Sequence, residues 1–240
     1  MARQLEGSLK PSFPLSLQDL QYYLLSGAGV PEESLPIYEE TYRVWKMIWS
    51  QTLREVDNVS EIPCDGFTRQ TKIGALFYKD RCIAMTTCHE VDFKFSSHRD
   101  DSLLAAWDEE AFRLLTKDGT KVSICSYLSV HPDFRGEVAP GIVLKHLATY
   151  LIVKVFLNSD CDVMTGTMRV SRGTDKSAYG AGATFLKRSS MHGEEADLVA
   201  FYRSHIENSG TRYQHLWAER LWNQKIDLLE KEQRTFRKTG

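Results

Sequence analysis

Apolar positions change period several times along this chain, and each change marks an element. Between Leu35 and Val56, Tyr38, Tyr42, Trp45, Ile48, Trp49 and Leu53 recur at helical spacing, which predicts an amphipathic helix with a buried aromatic stripe, capped by Ser34. Thr71–Tyr78 and Cys82–Phe95 are apolar runs separated by Lys79-Asp80-Arg81, the pattern of a hairpin. Helical period returns in Asp101–Lys117, with Leu104, Trp107, Phe112 and Leu115 on the buried face and Gly119 as the stop. Lys121–Val130 reads as a strand. Gly141–Leu157 reads as a helix that is apolar nearly all round and so covered on both sides. A strand at Asp162–Val170, a short Gly- and Ala-rich helix within Gly173–Leu186, and a strand at Ala196–Tyr202 follow. Tyr213–Lys238 carries Leu216, Trp217, Leu221, Ile226 and Leu229 among charges, the pattern of an amphipathic helix. Helices interleaved with strands predict an α/β (mixed α+β) domain around one sheet of mixed direction.

Composition narrows the partners. The chain has 240 residues, 42% hydrophobic and 26% charged, with a net charge of -2, which describes a soluble globular protein of one large domain or of an ordinary domain with terminal extensions. That balance gives no reason to expect nucleic acid or an anionic membrane as partner. The five cysteines (Cys64, Cys82, Cys88, Cys125, Cys161) form no C-x-x-C pair and are odd in number, so they read as reduced thiols of a cytoplasmic protein. Met1–Ser16 lacks the apolar core of a signal peptide. Lys145, His146 and Lys154 interrupt Gly141–Leu157, which is too short and charged to span a bilayer. The seven histidines show no metal-ligand spacing, and no metal is expected.

The chemistry concentrates in Ile124–Gly136 and the helix after it. A strand, a short basic-Gly turn and a helix place backbone N–H groups and a positive dipole end where a phosphate can sit. Leu128-Ser129-Val130-His131-Pro132-Asp133-Phe134-Arg135-Gly136 resembles the V-x-P-x-[FY]-R-G approach to the pyrophosphate loop of the GNAT superfamily of acyltransferases. Ser177-Ala178-Tyr179-Gly180-Ala181-Gly182-Ala183 is similar to that family's later Y-x-x-x-G-F helix, and the resemblance covers about residues 35–205.

The resemblance implies a GNAT-like central mixed sheet flanked by helices, divided as an N-terminal arm (1–33), an acyltransferase domain (34–210) and an added C-terminal helix (211–240). It implies an acyltransferase taking an acyl group from acyl-CoA, acetyl or longer, to a primary amine by direct attack. Leu128 and Val130 hold the donor through their backbones, with Arg135, Gly136, Glu137, Val138, Ala139 and Gly141 around the pyrophosphate, and Tyr179 protonates the leaving thiolate. The chain departs from the pattern where Val138 replaces a glycine and where Pro140 offers no N–H. Tyr179 stands one residue closer to its glycine than the pattern has it. Glu90 is the candidate general base, with His89 the other choice beside it; the two alternate across the strand, so at most one faces a cleft. Arg169, Arg172 and Lys176 are candidates for an acceptor carboxylate or the donor's adenosine phosphate. Two alternatives stay open. One is an N-acyl amino acid synthase-like enzyme drawing on coenzyme A or an acyl carrier protein, which would dock at Lys187 and Arg188. The other is a non-catalytic binding protein. The Tyr213–Lys238 segment closes the core or bridges a homodimer.

Overall fold

A computed structural model describes residues 14–57, 61–208 and 216–229. In chain order the strands are β1 (Leu20–Leu25), β2 (Lys72–Tyr78), β3 (Arg81–Asp92), β4 (Lys121–Val130), β5 (Glu137–Ala139), β6 (Ile142–Val143), β7 (Val163–Arg169), β8 (Thr184–Met191), β9 (Glu194–Tyr202) and β10 (Ile226–Asp227). The helices are α1 (Leu35–Asp57), α2 (Asp65–Thr68), α3 (Glu109–Leu115), α4 (Leu144–Leu157), α5 (Thr174–Gly180), α6 (Arg203–Asn208) and α7 (Leu216–Asn223). Eight strands make one sheet in the order β10-β1-β2-β3-β4-β7-β9-β8, and β5 and β6 form a separate hairpin. β10 and β1 are parallel, β1, β2, β3 and β4 pair antiparallel in succession, β4 and β7 are parallel, and β7, β9 and β8 return to antiparallel pairing.

Side-chain alternation along the strands sorts the core onto two faces. On one face α1 lays Val44, Trp45 and Ile48 against Phe67, Ile73, Ala75 and Met85, while α3 lays Phe112 and Leu115 against Val122 and Ile124. The other face is covered by α4, whose Leu144, Leu147 and Leu151 meet Leu76, Ile83 and Ala84 of the sheet. Ala218 and Leu221 of α7 join that cluster, so α4 is apolar nearly all round because it is buried from more than one direction.

Several sequence expectations are corrected here. The single helix expected over Asp101–Lys117 is broken, because Asp101 caps a 3-10 turn by accepting from the Leu103 N–H at 2.8 Å and Asp108 caps α3 by accepting from the Ala111 N–H at 3.0 Å. The helix expected from Gly141 starts at Leu144, since β5 and β6 pair around Pro140-Gly141 and a Glu137 carboxylate oxygen accepts from the Gly141 N–H at 3.0 Å. The stretch expected to be an N-terminal arm (1–33) contains β1, which pairs with β2 inside the sheet. The C-terminal segment, read as one helix, is α7 followed by β10 parallel to β1, with residues 213–215 and 230–238 outside the described residues. Strand β8 escaped notice because it lies at the sheet edge and its side chains alternate only between half-buried and exposed.

Packing between β1 and β2 is close at one point. A Cβ placed on Gly74 would lie 2.0 Å from the hydroxyl of Tyr22, which is fully buried and has no room to yield. A Cβ on Gly180 would meet nothing within 4 Å. Gly74→Ala is therefore expected to cost about 1–3 kcal/mol in urea unfolding, whereas Gly180→Ala leaves stability equal or slightly higher; equal midpoints for the two variants would contradict this packing.

Candidate active site

The parallel pairing of β4 with β7 stops early. Val122, Ser123 and Ile124 pair with Val163, Met164 and Thr165, after which β4 continues to Val130 and β7 to Arg169 without partnering each other. Each strand instead follows its other neighbour. β7 pairs with β9 along its whole length. β4 stays on β3 but bulges, since Thr87 faces Ser126 and Met85 faces Ser129, leaving Tyr127 and Leu128 opposite Thr86 alone. Tyr127 takes a φ of 54°, which a non-glycine residue holds only when its surroundings compel it. Here they do: its ring packs edge-on against Trp45 and Trp49, with centroids 5.5 and 5.0 Å away. The Trp49 indole N–H donates to Ser129 Oγ at 2.9 Å, and that hydroxyl donates to the Tyr127 carbonyl at 2.8 Å.

A cavity of about 780 Å³ runs through the resulting gap. On the α4 side it is lined by Arg135, Gly136, Val143, Leu144, Lys145 and Thr149. Its floor, where the strands part, is made by Ile124, Cys125, Ile152, Gly166 and Phe201. On the α1 side it meets Trp49, Leu53, Ile62, Asp65, Arg69 and Leu103. No side chain caps α4 at Val143, so the first N–H groups of a 14-residue helix are left for water or a ligand. Lys145 stands beside them and donates from Nζ to the Arg172 and Gly173 carbonyls at 3.2 and 3.1 Å. Arg172 pairs with Glu55 at 2.9 Å, and Arg135 donates from Nε to the Val130 carbonyl at 3.4 Å. This end of the cavity is positive.

Of the donor-holding residues expected from sequence, Leu128, Val130, Arg135 and Gly136 line the cavity, whereas Glu137, Val138, Ala139 and Gly141 do not. Val138 is buried in the core with Phe134 and Leu144. It sits in β5 with no positive φ, so a β-branched residue at the glycine position carries no strain. Arg169 and Arg172 line the cavity and Lys176 does not. The two expected catalytic residues also lie outside the lining. Glu90 accepts from Lys72 Nζ at 2.5 Å. Tyr179 donates to Asp197 at 2.5 Å, and Asp197 is also bound by Arg188 Nε. Burial and that carboxylate push the Tyr179 phenol well above its ordinary value. His89 stands behind Asp101, with Nε2 3.5 Å from its carboxylate, and burial holds the imidazole below its ordinary value. Lys187 is bound by Asp108 and Glu110, and Arg188 by Glu195 and Asp197, so the proposed carrier-docking charges are already neutralised. Cys125 reaches the cavity floor, but burial pushes its thiol up to about 12, which leaves no thiolate to act as nucleophile at neutral pH.

Sequence reasoning missed Asp65 and Arg69, took Trp49 as core alone, and saw Lys145 only as an interruption. Asp65 and Arg69 belong to a four-residue helix and its C-cap in a stretch with no apolar period. The one available signal was their spacing of four.

No protein-family model matches the sequence, and no curated protein resembles it in sequence. Solved structures do resemble the fold. A CoA-dependent acyl-homoserine lactone synthase, BjaI, with SAM and isopentyl-CoA, superposes with a TM-score of 0.53 at 13% identity, covering 81% of this chain and 89% of that one. FeeM, an N-acyl amino acid synthase from uncultured soil microbes, also gives 0.53, at 11% identity, covering 81% of this chain and 97% of that one. The chain has the GNAT fold.

Two outcomes are expected. Removing the Tyr179 hydroxyl leaves buried Asp197 short of a donor, so Tyr179→Phe should cost about 1–3 kcal/mol of stability, read from denaturant midpoints; an unchanged midpoint would show the bond to be idle. Burial also holds His131 and His146, like His89, below the ordinary histidine value. Their unfolded-state values are higher, so below about pH 6.5 the unfolded chain binds more protons and stability falls with pH. The urea midpoint should be lower at about pH 5.5 than at about pH 7.5; a flat or opposite trend would contradict it.

Proposed function

We propose that this chain is an acyltransferase that moves an acyl group from the thioester of an acyl-CoA to a primary amine. The observation that carries the reading is the early end of the β4–β7 ladder, with a cavity running through the gap. Where β4 and β7 part, their backbone edges are no longer spent on each other. The backbone of Leu128 and the N–H of Val130 suit the amides of a pantetheine arm lying between the strands. The pyrophosphate goes to the uncapped start of α4 with Arg135, Gly136 and Lys145, where the helix dipole and two cations favour negative charge. That places the thioester at the bulge. The amine attacks the thioester carbonyl carbon, a C–N bond forms, the C–S bond breaks, and the leaving thiolate takes up the proton that the acylated nitrogen sheds.

A second reading, an N-acyl amino acid synthase-like enzyme with a longer acyl chain, is favoured by the cavity's size and by the apolar wall of Ile48, Leu53, Ile62, Leu103 and Leu104. Those side chains match an acyl tail and exceed what an acetyl group needs. The neutralised state of Lys187 and Arg188 favours coenzyme A over a carrier protein as donor.

The test is release of free coenzyme A thiol from acetyl-, octanoyl- and decanoyl-CoA in the presence of a mixture of primary amines. Amine-dependent release is expected, with the longer donors preferred. Arg135→Ala should raise KM for the donor about tenfold or more, the loss of one charge-assisted contact. Absence of amine-dependent release with every donor would refute the acyltransferase reading, and an unchanged KM would remove Arg135 from the donor site.

A further inference from the structure

At the end of the cavity away from α4, the one-turn helix α2 presents two opposite charges. Asp65 begins it and Arg69 is its C-cap residue, four positions apart and so neighbours on one face. Both line the cavity, yet no ion pair joins them. Arg69 is spoken for elsewhere: its Nη2 donates to Ser102 Oγ at 2.9 Å and lies 3.4 Å from Asp101, which His89 backs. These contacts fix the guanidinium, and its side chain stays 28% exposed where it lines the cavity. Asp65 is exposed and is the one carboxylate among the described residues that line the cavity. The turn is also packed down onto the bulge, since a Cβ on Gly66 would lie 2.8 Å from the Tyr127 hydroxyl. Both charges therefore stand beside the place where the strands part.

We infer that the acceptor is an amino acid bound as its zwitterion, its carboxylate held by Arg69 and its ammonium drawn to Asp65. The inference rests on the acyltransferase reading and assigns the acceptor side of the same cavity. A guanidinium held in place beforehand, with part of its side chain open to the cavity, suits a planar carboxylate. The walls beside the two charges, Ile62, Pro63 and Leu103, select an apolar side chain. Asp65 accepts the proton that the ammonium gives up. The freed amine forms the C–N bond to the thioester carbon, the C–S bond breaks, and the proton that the acylated nitrogen sheds passes through water to the leaving thiolate. Asp65 then returns its proton to water.

The experiment compares phenylalanine with phenylalanine amide, and leucine with leucine amide, as acceptors with decanoyl-CoA. The amide's amine is the weaker base, so more of it is free at neutral pH, and that bias runs against the inference. The wild-type protein should still prefer the acid by about tenfold or more in kcat/KM. Arg69→Gln should bring the ratio to about one through a higher KM for the acid, while Asp65→Asn should lower kcat/KM for acid and amide alike. Equal kcat/KM for acid and amide in the wild-type protein would overturn the Arg69 assignment while leaving acyl transfer intact, whatever the variants do. A ratio that survives Arg69→Gln overturns it as well. An Asp65→Asn protein with wild-type kcat/KM removes Asp65 from the site. No transfer to any amine, with any donor, overturns the acyltransferase reading itself, and this assignment falls with it.

Discussion

Three residue pairs join β4 to β7, after which each strand keeps faith with its other neighbour. That divergence is the constraint on which the site depends. A continuous parallel ladder would spend the backbone groups of both strands on each other and close the sheet. Instead the bulge at Tyr127 and Leu128 bends β4, and the cost of a non-glycine residue at positive φ, of order 1–3 kcal/mol, is borne by Trp45 and Trp49 packed around its ring. The aromatic stripe of α1 thus has two uses. It fills the core on one face of the sheet, and it holds open the gap in that sheet.

What surrounds the gap follows from how the neighbouring elements start and stop. The β5–β6 hairpin takes up the residues that would have formed a glycine-rich loop, and its Glu137 carboxylate satisfies the Gly141 N–H. In the proposed reading the phosphates therefore go to the first turn of α4, with Lys145 and Arg135 beside it, and not to the hairpin. At the other end the α2 turn supplies Asp65 and Arg69. One cavity so carries a cationic end, an apolar middle and an end with both signs, an order that suits a phosphate-bearing donor, an acyl chain and a charged acceptor in sequence.

The order of the larger elements from α1 to β9, β8 aside, was legible because the apolar period changes cleanly, and β4 with its Arg135-Gly136 exit was legible as a strand running into a basic turn. The α/β sheet and the GNAT fold follow from those. The chemistry was less legible. Tyr179 and Glu90 were chosen by motif and by strand position, but each is held by an ion or hydrogen-bond partner outside the cavity, Asp197 for one and Lys72 for the other. Sequence spacing shows that two residues share a face; it does not show which carboxylate or ammonium from a distant strand will claim them. Asp65 and Arg69 lie in a turn too short to leave a periodic signal, and only the fold brings that turn against Tyr127. The bulge itself is invisible in sequence, because the apolar pattern of Lys121–Val130 reads the same with or without it.

Hydrogen–deuterium exchange with and without coenzyme A tests the central claim most directly, since it reports where a donor sits rather than whether one is consumed. The account predicts slowed exchange in the second half of β4, at Arg135-Gly136, in the first turn of α4 and in the outer half of β7, with β8 and its edge unchanged. Protection confined to other elements, or no protection at saturating coenzyme A, would contradict the claim that the gap between β4 and β7 is the donor site.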